Sequence, residues 1–427
     1  MTEQNLNPQP QPAAQPQPQY APHPASQPSQ PQYAPPSASQ PAQSPQFAVP
    51  QSVAGQQATT PHPYQVAAAP ALAPMVQQGA AYPWAVGPEV WVPEQTEPLE
   101  YHRLLRGMKR YEWWKPLVMS ITGAAVYLFG TLILFMAGAL IFLVIAGPEV
   151  LDDPLFQELS ANPEAANQIL NDAATHPAII AIMLLSVITM MPAAWLAMRI
   201  FGKGIFSRVW SVAARIRWEL ILWFTLAALL IYAVVQGVGL LLGTGGEMIY
   251  QEPQQSTGML LLTLLVIVLL VPLQATAEEV VFRGVLLQTF GSWLRSPVLA
   301  VIVTSMLFGA AHVQYNIWGM LVTGMMGLCM AILTIRTGGL EAAMALHTVN
   351  NVVVFTINTF GFVSDPDQIG PFSLLSELVI LLLFTAAVEL IWRRGKARGK
   401  AWYRHRIDWI EVRRPLATVQ GMPLPTA

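Results

Sequence analysis

Cysteine and charged residues are both scarce in this chain of 427 residues. The single cysteine, Cys329, lies in an apolar run, which excludes a disulfide framework and a cysteine-based metal site. Only 11% of the residues are charged, against about a quarter in a typical soluble domain. Residues 1–98 contain no Lys or Arg and no long apolar core, so we do not expect them to be a signal peptide. We expect no nucleic-acid partner.

Apolar residues and proline are abundant, and they are segregated along the chain. Hydrophobic residues make up 53% of the sequence, and the mean hydropathy is +0.43, which is typical of a membrane protein. Of the 36 prolines, 22 fall in residues 1–98, where Pro-Gln-Tyr-Ala-Pro occurs at 18–22 and again at 31–35. Such a segment buries too little apolar surface to fold, so we expect a disordered tail with polyproline II character. It is either a docking tail for proline-binding modules or a tolerated extension, and the absence of a basic-flanked PxxP site favours the second.

Long apolar runs follow this tail and predict an all-α, polytopic helical bundle. About 20 apolar residues are needed to cross a bilayer. We predict about eight transmembrane helices, near 117–146, 178–200, 218–243, 258–290, 297–314, 317–335, 340–361 and 373–392.

Basic residues are sorted between the connections of these spans. With the exception of Arg283, which lies inside a span, every Lys and Arg falls before span 1, between spans 2 and 3, or after spans 4, 6 and 8. The opposite connections contain only acidic charges. Under the positive-inside rule both termini are therefore cytoplasmic, in a multi-pass protein of a cell membrane. The composition of the tail faintly suggests a bacterial host.

Four regions follow from these patterns. We expect a disordered cytoplasmic tail over 1–98, a basic and aromatic juxtamembrane segment over 99–116, a membrane domain over 117–392 and a basic cytoplasmic tail over 393–427. The last tail either lies along anionic lipid headgroups or carries topogenic charge alone, and the second interpretation is favoured.

Ionisable residues inside the predicted spans are the candidates for function, because such groups are costly in a membrane. Glu278 and Glu279 are neighbours, so on a helix they diverge by about 100°. Glu279 and Arg283 are spaced i,i+4 and can form a buried ion pair that holds the helix in place. We therefore expect Glu278 to face a cavity unpaired, where it could act as a general base. The alternative is that both glutamates bind backbone or water between helices.

Two histidines and an asparagine complete the candidate site. His312 follows Phe308 by four residues, and His347 precedes Asn351 by four, so each pair shares a helical face. A lone intramembrane histidine usually makes a structural hydrogen bond, but two of them together with a Glu pair favour a site. Imidazole can orient a water or bind a metal, and an Asn amide can donate to a developing oxyanion.

These three motifs resemble those of the CPBP family of intramembrane proteases, which includes type II CAAX prenyl endopeptidases and the bacteriocin-processing or immunity relatives of the former Abi group. The resemblance covers about residues 258–361. It implies that Glu278 activates the attacking water with His312, that His347 and Asn351 stabilise the oxyanion, and that Glu279 and Arg283 support the site. The implied substrates are membrane-associated, lipidated or other peptides. A prenylated CAAX substrate is not expected in a bacterial host.

Metal dependence and function class stay open at this point. Family members are commonly labelled metalloproteases, and Glu278, His312 and His347 are candidate Zn²⁺ ligands. No His-Glu-x-x-His motif is present, which favours metal-independent chemistry. A non-catalytic immunity or scaffold protein, or a proton-coupled transporter, are the alternatives to a protease. The absence of a second copy of the motifs disfavours a transporter.

Overall fold

Apolar helices of spanning length dominate the computed structural model of the chain. It describes residues 88–147, 176–241, 248–250, 255–364 and 369–416, with positions 157, 161, 162 and 252 between them. The predicted disorder of the proline-rich tail falls on residues 1–87 and so lies outside the described residues, as does most of the segment after residue 416.

The helices follow the predicted spans closely. In chain order they are α1 (Trp114–Ala146), α2 (Pro177–Ile188), α3 (Met190–Phe201), α4 (Trp218–Leu241), α5 (Thr257–Glu279), α6 (Leu287–Trp293), α7 (Val298–Ala310), α8 (Ile317–Thr337), α9 (Glu341–Thr359) and α10 (Pro371–Ala397). α2 runs into α3 as one span, and α5 continues through a π-helical segment (Val280–Leu286) into α6. A multi-pass membrane protein of the all-α class is confirmed.

Six of the helical stretches in the described residues are long and apolar enough to cross a membrane, so the predicted count of about eight is approximate. α7 has 13 residues and rises about 20 Å, less than the roughly 30 Å of a hydrocarbon core. It ends at Ala310, four residues before the predicted end of span 5. α9 has 19 residues but carries polar side chains along much of its length. Both helices belong to the part of the bundle that contains the candidate site.

The surface of the bundle is apolar where lipid would surround it. Side chains of α1 such as Leu128 and Phe129 are about two-thirds exposed, and α4, α5 and α10 present similar apolar faces. Exposed apolar surface on this scale marks contact with a membrane. The interior is built around α5, which packs against α2 and α9, while α9 also packs against α4, and α8 lies between α7 and α10.

The fourth span is continuous over residues 257–293, and its irregular segment is not at the expected place. A proline inside a helix commonly bends it, so Pro272 is where an irregularity would be expected. The helix instead runs through Pro272, where the Thr276 hydroxyl donates to the Pro272 carbonyl at 2.7 Å. The backbone changes to π-helical geometry eight residues later, directly after Glu279. π-Helical turns inside α-helices frequently occur at functional sites.

Residues that precede and follow the membrane domain in the chain pair with each other, so the end of the region expected to be disordered, up to residue 98, is folded. β1 (Glu89–Gln95) pairs antiparallel with β4 (Trp409–Pro415), with Glu89 opposite Pro415 and Gln95 opposite Trp409. The end of the region expected to be disordered is therefore a strand, and so is part of the basic tail. A 3₁₀ helix (Tyr101–Gly107) lies buried beside α6. A second ribbon pairs β2 (Met248–Tyr250) with β3 (Phe362–Ser364).

Candidate active site

Five of the six predicted site residues lie on α5, on the π-helical segment that follows it and on α9, and the sixth, His312, follows α7. Glu278 and Glu279 are the last two residues of α5, and Arg283 lies in the π-helical segment. His347 and Asn351 lie on α9, which packs directly against α5. The contact surface of α9 contains small buried residues (Ala342, Ala343 and Ala345), which let neighbouring helices approach closely.

Glu279 and Arg283 form the expected i,i+4 ion pair, and both side chains are fully buried. Arg283 Nη1 donates to Glu279 Oε1 at 2.8 Å, and Arg283 Nη2 donates to the Gly327 carbonyl at 3.1 Å. The guanidinium also lies 4.3 Å from the centre of the Phe308 ring. A buried charge is costly unless it is paired and hydrogen-bonded, and these contacts offset part of that cost. Arg283 Nε and Glu279 Oε2 make no hydrogen bond to any residue that the structure describes.

His347 lies between the two glutamates and contacts both of them. Its Nδ1 is 2.8 Å from Glu279 Oε1, and its Nε2 is 3.5 Å from Glu278 Oε2. Nδ1 must carry a proton to donate to the Glu279 carboxylate, so a neutral His347 has only a lone pair at Nε2. That lone pair faces a carboxylate oxygen. The two atoms are 3.5 Å apart, which is longer than an ordinary hydrogen bond.

Glu278 is held by hydrogen bonding on one side, contrary to the expectation of an unpaired carboxylate. Its Oε1 accepts a hydrogen bond from Gln274 Nε2 at 2.8 Å. Its Oε2 is buried and makes no hydrogen bond to any residue that the structure describes. The residue as a whole is 8% exposed. The two oxygens of Glu278 are thus chemically different, one bound by an amide and one directed toward His347.

Gln274 is a site residue that the sequence reasoning missed. It lies one turn before Glu278 on the same helix, and its Oε1 accepts a hydrogen bond from Asn351 Nδ2 at 3.0 Å. The signal was present, since Gln274 and Glu278 have the same i,i+4 spacing as Glu279 and Arg283. The predicted Asn351 is therefore connected to Glu278 through this amide.

His312 lies outside the helix on which it was predicted. α7 ends at Ala310, and His312 falls in the following turn, where its Nδ1 donates to the Phe308 carbonyl at 2.8 Å. Its ring is parallel to that of Tyr315, with centroids 6.1 Å apart. Burial raises the pKa of the Tyr315 phenol, and the negative charge of Glu278 raises it further. The charge of Glu278 thus acts on Tyr315, which lies in the same turn as His312.

Phe308 separates the two histidine rings. Its centroid is 5.0 Å from that of His312 and 5.6 Å from that of His347, with the His347 ring edge-on. The structure therefore brings Glu278, Glu279, Arg283, His347 and Asn351 into one connected network and leaves His312 beside it across an aromatic ring. The expected contact between Glu278 and His312 is not among the hydrogen bonds of the described residues.

The candidate zinc ligands do not converge on one point. Within the described ranges, no group of three or more His, Cys, Asp or Glu side chains is arranged to hold a metal ion. His347 Nδ1 binds Glu279 and His312 Nδ1 binds a carbonyl, which leaves Nε2 of each ring as its available donor atom. As placed in the described residues, Glu278, His312 and His347 do not form a three-ligand zinc site.

A second buried ion pair holds the start of α9 and was not predicted as such. Arg217, counted only as a topogenic charge, donates to both carboxylate oxygens of Glu341 at 2.8 and 2.6 Å. It also donates to the carbonyls of Thr337 and Trp402. This bidentate pair fixes the N-terminal end of α9, because Glu341 is its first residue and lies six residues before His347.

Comparisons with known proteins agree with the motifs. Residues 258–353 match the sequence model of a family described as type II CAAX prenyl endopeptidase Rce1-like. The chain is 28% identical over 168 residues to the uncharacterized protein YyaK of Bacillus subtilis (strain 168), covering 38% of this chain and 55% of that protein. It is 40% identical over 89 residues to an uncharacterized 24.3 kDa protein of Escherichia coli, covering 20% of this chain and 40% of the relative. The matches thus span about half the length of these relatives or less. No solved structure matches the chain.

The matched region contains the whole network described above, from Gln274 to Asn351. Residues 258–353 are therefore similar to the Rce1-like type II CAAX prenyl endopeptidase family, in agreement with the resemblance of the three motifs.

Proposed function

We propose that this chain is an intramembrane endopeptidase in which Glu278 activates a water molecule for attack on a peptide bond. The observation that carries the proposal is the contact of one buried histidine, His347, with two adjacent buried glutamates at the centre of an apolar bundle. Ionisable groups are costly in a membrane, so their presence there points to a function. The family match over residues 258–353 supports the same class of reaction.

In the proposed reaction, Glu278 Oε2 takes a proton from water as the water oxygen bonds to the carbonyl carbon of the substrate. The carbonyl oxygen then carries the negative charge of a tetrahedral intermediate. When the carbon–nitrogen bond breaks, the proton held by Glu278 passes to the departing nitrogen. The products are a carboxylic acid and an amine, which become a carboxylate and an ammonium group when the acid gives up its proton and the amine takes one, and Glu278 returns to its starting state.

His347 would share the proton with Glu278, because its Nε2 faces the oxygen that takes it. Glu279 holds the opposite nitrogen of the ring and fixes its orientation, and Arg283 balances the charge of Glu279. This arrangement differs from the role first expected for His347, which was to stabilise the oxyanion. A carboxylate that orients an imidazole through Nδ1 is a recurring device in hydrolases.

Asn351 and His312 would bind the oxyanion or the water from the other side. The Asn351 amide donates one N–H to Gln274 and has a second N–H to offer. His312 uses Nδ1 on a carbonyl, which leaves Nε2 for a water or for the substrate. Hydrogen bonds that strengthen as the oxyanion forms lower the barrier to hydrolysis.

The substrate would be a peptide with an apolar, membrane-embedded or lipidated portion. An apolar cavity of about 140 Å³ lies beside the π-helical segment, between α1, α3 and residues 281–286. Its lining includes Met119, Met190, Val281 and Val285, with few polar atoms. A cavity of this character next to the catalytic segment favours a hydrophobic group near the scissile bond.

The test compares membranes from cells that contain the native protein, Glu278→Gln or Glu377→Gln. Glu377 lies on α10 and is 8% exposed, like Glu278, so its variant controls for loss of a buried carboxylate elsewhere in the bundle. Labelling and sequencing of new peptide amino termini should reveal cleavage products with the native protein and with Glu377→Gln. These products should be absent with Glu278→Gln.

Identical sets of products in all three samples would contradict the proposal. They would favour the alternative of a non-catalytic membrane scaffold or immunity protein, for which the glutamate is dispensable.

A further inference from the structure

Four polar side chains from three helices form a continuous row of hydrogen bonds that ends at Glu278. Tyr232 on α4 donates its hydroxyl to Asn350 Oδ1 at 2.9 Å, and Asn350 Nδ2 donates to Asn351 Oδ1 at 3.0 Å. Asn351 Nδ2 donates to Gln274 Oε1 at 3.0 Å, and Gln274 Nε2 donates to Glu278 Oε1 at 2.8 Å. We call this row the amide chain.

The end of the amide chain determines the direction of all its bonds. An ionised carboxylate only accepts hydrogen bonds, so Gln274 must turn its NH₂ group toward Glu278 and its oxygen toward Asn351. Asn351 then has to present its own NH₂ group to Gln274, and Asn350 has to present its NH₂ group to Asn351. The Tyr232 hydroxyl supplies the last donor. Each amide is therefore held by partners on both sides, in the one direction that suits a charged Glu278.

The chain also makes the two oxygens of Glu278 unequal. Oε1 is engaged by Gln274, whereas Oε2 lies 3.5 Å from His347 Nε2 without a hydrogen bond of its own. An oxygen that already accepts a hydrogen bond from an amide is the weaker base of the two. The proton from water therefore has a preferred destination.

We propose that Gln274 is a positioning residue that holds Glu278 Oε1 and so directs the proton transfer to Oε2. This inference rests on the proposed function, because it assigns a role in the same site. Gln274 would not touch the substrate. It would act through Glu278, and it would also hold Asn351 in place as a donor to the oxyanion.

A chemical probe tests this without a substrate. Dicyclohexylcarbodiimide is apolar and reacts with protonated carboxyl groups, and tandem mass spectrometry distinguishes modified Glu278 from modified Glu279. The loss of a hydrogen bond to a charged acceptor favours the protonated form, so Gln274→Met should increase the rate of Glu278 modification about ten-fold at neutral pH. Gln274→Asn keeps the amide but is one methylene shorter, and we expect it to change the rate in the same direction.

Gln288→Met is the matched control. Gln288 is a fully buried glutamine in α6 whose side chain donates a hydrogen bond to the Arg208 carbonyl. It lies ten residues after Glu278 on the same continuous helix, a rise of about 15 Å. Its variant should lose stability without changing the modification of Glu278. A native modification rate in folded Gln274→Met or Gln274→Asn protein would overturn the inference.

The outcome is separable from that of the proposed function. If no hydrolysis is ever found, the modification rates still report whether Gln274 controls Glu278. If Glu278→Gln abolishes hydrolysis while Gln274→Met is modified at the native rate, the protease assignment stands and the positioning role falls.

Discussion

His347 contacts two neighbouring glutamates, Glu278 and Glu279, through different ring nitrogens. Side chains at adjacent helical positions diverge by about 100°, so Glu278 and Glu279 cannot meet each other directly. The imidazole bridges this gap because its two nitrogens point away from each other across the ring, one to each carboxylate. Glu279 Oε1 contacts both Arg283 and His347, whereas Glu278 Oε2 lies 3.5 Å from His347 Nε2 without a hydrogen bond. Glu279 Oε2 likewise makes no hydrogen bond to any residue that the structure describes. Two adjacent residues of the same type thus differ in their proposed roles: Glu279 supports the site, and Glu278 is the candidate base.

The ion pair between Glu279 and Arg283 can be tested by a double-mutant cycle. Arg283→Met leaves the Glu279 carboxylate buried without its cation, which should cost about 3–5 kcal/mol of stability. The double variant Glu279→Gln/Arg283→Met removes both charges and keeps an oxygen to accept from His347, so it should recover much of that loss. Thermal unfolding in detergent measures both. A double variant as unstable as the sum of the two single variants would show that the residues are not partners.

Whether hydrolysis depends on zinc is decided by the same few side chains. Because Glu278, His312 and His347 do not converge, we expect hydrolysis to survive thorough chelation and purified protein to contain less than one equivalent of zinc. Metal analysis of native and His312→Ala protein, run beside a chelation assay, measures this. One equivalent of zinc that disappears in His312→Ala, with activity restored by added zinc, would contradict the expectation.

At the scale of elements, α8 packs against Arg283 of the π-helical segment. Gly327 on α8 gives its carbonyl to Arg283, and a Cβ at this position would lie 3.0 Å from the Phe308 ring and 3.1 Å from Arg283 Nη2. Contacts this short are tighter than most contacts of a Cβ atom, so a side chain here would displace Phe308 or Arg283 by a few tenths of an ångström. The packing of α8 therefore helps to hold the guanidinium against Glu279.

Gly327→Ala should accordingly destabilise the protein by about 1–3 kcal/mol, because either Phe308 or Arg283 must move. Gly130→Ala on α1 is the control, since nothing lies within 4 Å of a Cβ at that position. That substitution should be neutral or slightly stabilising through its helix propensity. Equal unfolding temperatures for Gly327→Ala and native protein would argue against the close packing of α8 on the site.

Local patterns were predictable from the sequence, and contacts between distant segments were not. Helix positions followed from apolar runs, and the Glu279–Arg283 pair followed from i,i+4 spacing. The contact of His347 with both glutamates joins positions almost 70 residues apart, so no spacing rule could give it. The strand at 89–95 was missed because its partner at 409–415 lies over 300 residues away and a composition rich in proline resembles disorder.

At the scale of the whole molecule, the two ends of the membrane domain meet in the ribbon of β1 and β4. This pairing puts residues 89–95 and 409–415 on the same side of the membrane, as an even number of crossings requires. That this side is the cytoplasm stays a prediction from the sorting of basic residues. The ribbon thus joins the end of the region expected to be disordered to part of the basic tail.

A disulfide cross-link tests the ribbon. In a Cys329→Ala background, Val92→Cys with Val412→Cys should form a disulfide under mild oxidation, because the two positions are direct partners in the register. Glu89→Cys with Val412→Cys is three residues out of register, about 10 Å, and should not. Mass spectrometry of proteolytic fragments detects the linked peptides. Equal linkage in both pairs would contradict the observed pairing.

The central claim is that Glu278 drives hydrolysis inside the membrane domain, and its most direct test uses purified protein in liposomes. A peptide identified from the cellular products is incubated in water enriched in ¹⁸O, and the new carboxyl group is analysed for the label. Native protein and Glu377→Gln should introduce one ¹⁸O atom per cleavage at similar rates. Glu278→Gln should be slower by several orders of magnitude, as expected for an essential catalytic group. Hydrolysis by folded Glu278→Gln at the native rate would contradict the account.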